Sequence, residues 1–167
     1  MFSPVGCLLS CLGTDDGALI AVTRTGTAPD QINLYRTTDL LAASGWAAHA
    51  SDVTAAANTT IVQPALARRG TDLFLFVHDT TADKLYVRKS LNMGGTWGEP
   101  VEIGAISNSA TGVKIDAIAL DSGLLAVVYT DYASAKQCIR LRTSEDGNTW
   151  SAAQSVSADT GNNYSDP

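Results

Sequence analysis

The side chains best suited to chemistry in this sequence are carboxylates, aromatic rings and one histidine in short polar stretches between apolar ones. Asp116 and Asp166 stand at matching places, each at the predicted start of a strand. Two carboxylates at a defined separation could hydrolyse a glycosidic bond. Carboxylates and aromatic rings around a shallow centre also suit binding of a polyhydroxyl ligand. The predicted ligand-binding residues are Asp116, Asp166, Arg24, His78, Asp79, Tyr129, Asp131, Tyr132 and Tyr164, and no residue is predicted to be catalytic.

Metal and cofactor chemistry is not predicted. The three cysteines, Cys7, Cys11 and Cys138, are odd in number and irregularly spaced, which argues against a disulfide framework. The two histidines add too few ligands for a zinc site, so buried thiols are the expectation. We therefore expect no metal ion and no cofactor.

Charge and hydropathy restrict the possible partners. The net charge is −6, and no run of Lys and Arg residues is longer than two, which argues against nucleic acid or an anionic membrane as the main partner. No apolar run approaches the roughly 20 residues that span a bilayer. The N-terminal stretch lacks a basic region, so it is interpreted as mature structure and not as a signal peptide. The composition identifies no compartment.

Two octapeptides in the sequence are alike: "SLNMGGTW" at 90–97 and "TSEDGNTW" at 143–150. A degenerate copy runs from Thr37 to Trp46. The opening residues Thr37, Ser90 and Thr143 recur at a constant interval of 53 residues. Such a regular interval indicates an internal structural repeat.

Each repeat contains four short runs rich in β-forming residues, separated by Gly, Asp, Thr and Asn. Four antiparallel strands recurring at about 40 to 55 residues are typical of propeller blades. The predicted fold is therefore an all-β propeller with three blades, at about residues 5–53, 62–104 and 115–157. Residues 158–167 are predicted to begin the first strand of a further blade.

The octapeptide, which lies between the third and fourth strands of a blade, resembles the Asp-box of BNR-repeat, sialidase-like propellers. The corresponding residues are Thr37, Asp39 and Trp46 in the first repeat, Ser90, Asn92, Gly94, Thr96 and Trp97 in the second, and Thr143, Glu145, Gly147, Thr149 and Trp150 in the third. In such a turn a short polar side chain accepts bonds from backbone N–H groups, and glycine adopts a positive φ. The octapeptide is thus predicted to be structural, with the indole packing toward a neighbouring blade.

The resemblance implies that these boxes lie on the face opposite the ligand funnel. The loops of the funnel face would be residues 23–31, 78–84 and 129–137 together with 51–63, 104–116 and 157–167. They contain the predicted ligand-binding residues, as expected if binding groups gather on loops held by a rigid scaffold.

Active sialidases carry three arginines that bind the substrate carboxylate, a Tyr-Glu nucleophilic pair and an Asp acid/base. In this chain only Arg24 lies in a predicted funnel loop, and the glutamates Glu99, Glu102 and Glu145 all lie in or after a box. The predicted function is therefore a non-catalytic glycan-binding module. The alternatives are a glycoside hydrolase or a fragment of one, and a structural propeller of a larger assembly such as a virion tail.

Three blades cannot close a ring, because propellers have about four to eight. Two chains could pair to form the six blades typical of sialidase-like propellers, or further blades could belong to a longer chain. We expect a homo-oligomer if 167 residues is the native length.

Overall fold

The computed structural model describes residues 10–15, 17–24, 32–39, 47–50, 61–107, 113–133 and 136–157. The regular structure in these ranges consists of twelve β-strands in three antiparallel sheets of four. This confirms the predicted all-β class and the division into three four-stranded units. The predicted further strand at 158–167 lies outside the described residues, as do Cys7 and Trp46.

The strands of each sheet follow one another in the order of the sequence. Sheet 1 contains β1 (Ser10–Gly13), β2 (Leu19–Arg24), β3 (Ile32–Thr37) and β4 (Ala47–Ala50). Sheet 2 contains β5 (Ile61–Arg69), β6 (Asp72–Asp79), β7 (Lys84–Ser90) and β8 (Val101–Ala105). Sheet 3 contains β9 (Ile115–Ala119), β10 (Leu125–Ala133), β11 (Lys136–Ser144) and β12 (Gln154–Ser155).

The connections between strands divide between two edges of the sheets. The β5–β6, β7–β8, β9–β10 and β11–β12 connections lie on one edge, which we call the turn edge. The β6–β7, β8–β9 and β10–β11 connections lie on the other, which we call the loop edge. Both octapeptides are on the turn edge, and the described parts of the predicted funnel loops at 78–84, 104–107, 113–116, 129–133 and 136–137 are on the loop edge. This separation follows from the antiparallel order, because every second connection returns to the same edge.

Successive sheets pack face to face through two apolar cores, with β5 lying against both β1 and β9. The core between sheets 1 and 2 contains Ile20, Val22, Ile32, Leu34, Leu66, Leu73, Leu75 and Val77. The core between sheets 2 and 3 contains, among others, Phe74, Phe76, Leu85, Val87, Leu125, Val127 and Tyr129. Strand β6 supplies alternate residues to both cores, which is why seven of its eight residues are buried.

The β7–β8 turn is held by side-chain hydrogen bonds that start from Ser90. The Ser90 hydroxyl oxygen accepts the backbone N–H of Gly94 at 2.8 Å, and the Asn92 side-chain oxygen accepts that of Thr96 at 2.9 Å. The indole N–H of Trp97 donates to the Gly94 carbonyl at 3.1 Å, and its ring packs on the core between sheets 1 and 2. The polar groups of this turn are thus satisfied locally, as for a structural element.

The β11–β12 turn corrects the alignment predicted for the third octapeptide. Strand β11 continues to Ser144, which pairs with Leu125 just as Ser90 pairs with Leu73. The Ser144 hydroxyl oxygen accepts the N–H of Gly147 at 2.8 Å, and the Asp146 carboxylate accepts those of Asn148 and Thr149, both at 2.8 Å.

The roles predicted for Thr143 and Glu145 therefore belong to Ser144 and Asp146. The physical reason is that the shorter Asp carboxylate, one residue before the glycine, lies where these two N–H groups converge. Those two bonds hold the pKa of Asp146 below its ordinary value, with smaller contributions from Ser144 and from its own N–H.

In the first repeat the Thr37 hydroxyl accepts the backbone N–H of Asp39 at 3.1 Å and donates to its carbonyl at 2.9 Å. Thr37 is buried, and it pairs with Leu19 as Ser90 does with Leu73. The same strand-end position therefore carries a buried hydroxyl in all three sheets.

Each of the two better-described turns packs against the preceding sheet. A Cβ atom on Gly94 would lie 3.2 Å from Leu34 and 3.3 Å from His49, both in sheet 1. A Cβ on Gly147 would lie 2.6 Å from the Phe74 ring in sheet 2. Both glycines have a positive φ, of 91° and 79°. Glycine is therefore required at these positions by backbone conformation and by close approach together.

Candidate functional site

Several of the predicted ligand-binding residues lie at the loop edge of sheets 2 and 3. His78 and Asp79 end β6, Asp131 and Tyr132 lie near the end of β10, and Tyr129 is two residues earlier. Arg24 ends β2 of sheet 1, where its backbone pairs with Ile32. The side chain of Arg24, and all of Tyr164 and Asp166, lie outside the described residues.

His78 is the unusual side chain of this edge. It pairs with Leu85 on the side of sheet 2 that faces sheet 3, and it is only 3% exposed. Neither ring nitrogen has a hydrogen-bond partner in the described structure. Burial lowers the pKa of His78, and the charges of Asp83 and Asp79 offset part of that effect. A neutral, unpaired imidazole in this position can donate one hydrogen bond and accept another.

Asp79 orders the β6–β7 turn. One of its carboxylate oxygens accepts the backbone N–H groups of Thr81 at 2.8 Å and Ala82 at 3.1 Å. Asp83 follows with a φ of 51°, and its carbonyl accepts the N–H of Ile106 at 2.9 Å. This turn is therefore joined to the chain that leaves β8.

Asp131 joins sheets 2 and 3 at the same edge. Its Oδ1 accepts the N–H of Ser107 at 2.7 Å and of Tyr132 at 2.8 Å, and its Oδ2 lies 3.6 Å from the Arg140 Nε. Asp131 is 8% exposed, and Tyr132 is half-buried. The carboxylate is thus fixed by three groups and holds the segment after β8 against β10.

Tyr129 is as buried as His78, but its hydroxyl has a partner within the chain. The residue is 3% exposed and belongs to the core between sheets 2 and 3. Its hydroxyl accepts a hydrogen bond from the Arg142 Nε at 3.2 Å. Tyr129 alternates with Val127 on the side of β10 that faces sheet 2, so its ring is used in packing.

Asp116 is exposed and lies away from His78. It pairs with Val128, on the side of sheet 3 that faces away from sheet 2, and its Oδ1 lies 2.9 Å from the backbone nitrogen of Ala117. The structure therefore does not bring Asp116 into the group formed by His78, Asp79 and Asp131.

A cleft lies on the turn edge, where no ligand-binding residue is predicted. This cleft of about 430 Å³ is lined by Arg69, Ser122, Gly123, Leu124 and Glu145. The Arg69 guanidinium donates to the carbonyls of Gly123 at 2.8 Å and Glu145 at 2.6 Å, so it joins sheet 2 to sheet 3. Two adjacent arginines at a predicted hairpin turn carry no signal in the sequence for such a contact.

The sequence predicted no metal site and buried thiols. Within the described ranges, no group of three His, Cys, Asp or Glu side chains is arranged to hold a metal ion. Cys138 is buried, whereas Cys11 is exposed, so the expectation of a buried thiol is wrong for Cys11. The described strands and loops include no helix with the length and hydropathy that crossing a membrane requires.

Comparison with known proteins gives a consistent fold. No protein-family model and no curated protein matches the chain. Among solved structures, a mutant of the NanB sialidase from Streptococcus pneumoniae superposes with a TM-score of 0.64 at 19% identity, over 87% of this chain and 23% of that one. The Hadza microbial sialidase Hz136 gives 0.61 at 16% identity, over 86% and 36%. An endo-arabinase from Bacteroides thetaiotaomicron gives 0.63 at 13% identity, over 95% and 66%.

The chain spans about a quarter to a third of the length of the sialidases that it matches. At these identities the likeness concerns the fold, and it agrees with the three stacked four-stranded sheets. The chain therefore has the fold of a sialidase-like β-propeller, of which it forms three blades.

Proposed function

We propose that this chain is a non-catalytic, sialidase-like propeller segment that binds glycans on its loop edge. The observation that carries the proposal is His78, a buried imidazole for which the described structure gives neither ring nitrogen a partner. Buried polar groups are ordinarily hydrogen-bonded, so an orphaned one next to surface loops indicates a site that a ligand completes. Sugar hydroxyl groups both donate and accept, which matches what a neutral imidazole offers.

The surroundings of His78 support the same proposal. Asp131 lies at the seam between sheets 2 and 3, and Asp79 follows His78 at the end of β6; each carboxylate is held by backbone N–H groups. Tyr132, the next residue in the chain after Asp131, is half-buried. Carboxylates fixed in position and an aromatic ring are the groups with which proteins orient polyhydroxyl ligands. Arg24, Tyr164 and Asp166 remain proposed members of this site on the sequence pattern.

Binding to an array of sialosides, arabinan and other glycans tests the proposal. The variant His78→Phe keeps a planar ring but removes both nitrogens, and we expect it to lose binding. The matched control is His49→Phe, on the turn edge, where the His49 ring contacts the Met93 carbonyl at 2.6 Å. The control is expected to bind as the unaltered chain does. No binding to any glycan, or equal binding by both variants, would contradict the proposal.

A glycoside hydrolase is the second candidate, because the similar structures include sialidases and an endo-arabinase. A fluorogenic sialoside and arabinan release assays distinguish it from a binding module. Turnover of either substrate would support the hydrolase, whereas binding without turnover supports the binding module.

We also propose that three further blades complete the ring. They would come from a second copy of the chain or from further sequence of a longer polypeptide, as three blades cannot close around an axis.

A further inference from the structure

The side of sheet 3 that faces away from sheet 2, which we call the free face, is apolar and exposed. Ile118 is 56% exposed and Val128 37%. They lie on one side of the sheet, because Ile118 pairs with Ala126 and Val128 with Asp116. Leu120 and Val156, at the ends of the same sheet, are 44% and 58% exposed. Several large apolar side chains exposed on one sheet ordinarily mark an interface.

Strand pairing shows which residues of sheets 1 and 2 correspond to the free face of sheet 3. Because Leu19, Leu73 and Leu125 each pair with the hydroxyl residue at the end of the third strand, they are equivalent positions. On that register the free-face residues Ala126, Val128, Ile139 and Leu141 correspond to Ile20, Val22, Ile32 and Leu34 in sheet 1 and to Phe74, Phe76, Leu85 and Val87 in sheet 2.

These equivalent residues are at most 1% exposed in sheets 1 and 2, because the next sheet covers them. The free face of sheet 3 thus repeats a surface that, in both available cases, is covered by a four-stranded sheet. Its occupant is therefore a further blade.

Asp116 adds a polar contact to the same comparison. It occupies the position of Ser10, because Asp116 pairs with Val128 as Ser10 pairs with Val22. In the contact between sheets 1 and 2, the Ser10 hydroxyl oxygen accepts the backbone N–H of Leu66 at 3.2 Å. Leu66 belongs to β5, the first strand of sheet 2, and we call the first strand of each sheet its inner strand. Exposed Asp116 is placed to accept the equivalent N–H of an incoming inner strand.

Sheet 1 carries the complementary surface. Its side away from sheet 2 contains Leu19 and Ala21, which correspond to Leu73 and Leu75 in sheet 2 and to Leu125 and Val127 in sheet 3. The latter residues are the ones that contact the preceding sheet. Of the described strands outside sheet 1, only those of sheet 2 lie against it. On this side Leu19 is half-buried and Ala21 is 7% exposed. Among the described strands, each chain carries one surface of each kind with no sheet against it, and two copies can satisfy both contacts at once.

We propose that the free face of sheet 3 binds sheet 1 of a second copy of this chain, with Asp116 accepting a backbone N–H from the inner strand of that sheet. Two reciprocal contacts of this kind close a ring of six blades, within the range that propellers adopt. This inference rests on the proposed completion of the ring and is independent of the proposed glycan binding.

Sedimentation equilibrium of the 167-residue chain tests it. The expected mass is twice that of a single chain of 17.4 kDa. Val128→Asp places an unpaired charge in the interface and is expected to weaken the dimer at least about 100-fold. Asp116→Ala, which removes one charge-assisted hydrogen bond, is expected to weaken it about tenfold. The control is Leu91→Asp, because Leu91 is 65% exposed on the turn edge, away from the free face.

Each outcome decides the proposal. A dimer that Val128→Asp dissociates and Leu91→Asp does not supports it, provided that both variants keep the circular dichroism spectrum of the unaltered chain. If Val128→Asp fails to fold, the Asp116→Ala result stands in its place. A monomer at all concentrations overturns the proposal and assigns the free face to a blade of a longer polypeptide. An open series of larger masses, or a dimer indifferent to both free-face variants, also overturns it.

Discussion

Replacing Gly147 with alanine tests the packing of the β11–β12 turn on sheet 2. The added Cβ atom would lie 2.6 Å from Cε1 and 3.3 Å from Cδ1 of Phe74, which is fully buried. The Phe74 ring has little room to move, because the cationic groups of Arg69 and Lys89 stand over it at 5.2 Å and 5.6 Å from its centre. The substitution therefore combines backbone strain with overpacking.

The two contributions can be separated with matched glycines. A positive φ costs an alanine about 1–2 kcal/mol, and Gly70→Ala measures this alone, since its φ is 60° and a Cβ there has no neighbour within 4 Å. Overpacking of a buried ring adds about 1–3 kcal/mol at Gly147. Gly94→Ala, with its nearest contact at 3.2 Å, should fall between the two. The expected order of destabilisation is Gly147→Ala, then Gly94→Ala, then Gly70→Ala.

Equilibrium urea unfolding measures the free energy of unfolding of each variant, and an unchanged dependence on denaturant shows that the transition is the same. If Gly147→Ala and Gly70→Ala cost the same, the turn does not press on Phe74. The inferred contact between the octapeptide and the preceding sheet would then be wrong.

Three further predictions concern other contacts. Asp146→Ala removes the acceptor of two backbone N–H groups and should lower the urea midpoint, whereas Glu145→Ala should leave the midpoint unchanged. Equal effects of the two variants would contradict the assignment of this role to Asp146. Arg69→Met should lower the free energy of unfolding by about 1–2 kcal/mol, because two carbonyls lose their hydrogen-bond donor. Arg68→Met breaks an ion pair to exposed Asp15 and should lower it by less than about 1 kcal/mol in the same assay. Folding lowers the pKa of His78, so the unfolded chain takes up the proton at a higher pH than the folded chain does, and the free energy of unfolding should fall as the pH drops below about 6.5. His78→Phe should make the free energy of unfolding less dependent on pH in this range. The same pH dependence in the variant would contradict the burial of His78.

The sequence predicted the architecture because the information needed for it is local and repeated. Alternating apolar residues, turn residues and the 53-residue recurrence of Thr37, Ser90 and Thr143 indicate four strands per unit and three units. The strand pairings agree with that division. The octapeptide correctly separated the turn edge from the loop edge, because antiparallel connectivity follows from strand order alone.

The same recurrence misplaced the third turn by one residue. Thr143 keeps the constant interval, but the backbone register puts Ser144 at the end of β11. A side-chain pattern cannot detect such a shift when two neighbouring residues are both hydroxyls and the next two are both acidic. The hydrogen-bond geometry of the folded turn distinguishes them.

The candidate site was predictable as a set of loops but not as a set of contacts. Sequence placed His78, Asp79, Tyr129 and Asp131 near one another, since all stand at the ends of second strands. Whether a side chain faces a core, a loop or a free surface depends on the face of the strand and on the sheet packed against it. Tyr129 proved to be core, and Asp116 lies on the opposite side of sheet 3 from His78.

The sequence by itself determined the strands, their grouping and the edge at which each loop lies, because these depend on short-range periodicity and chain order. The tertiary structure alone decided which polar groups are satisfied and which apolar faces are covered. Stacking of the sheets buries the His78 ring, which has no hydrogen-bond partner among the described residues, and brings Arg69 to sheet 3. It leaves Val128 exposed, because no described sheet covers that side of sheet 3. Those contacts arise only when one sheet stacks on another, and no local pattern encodes them.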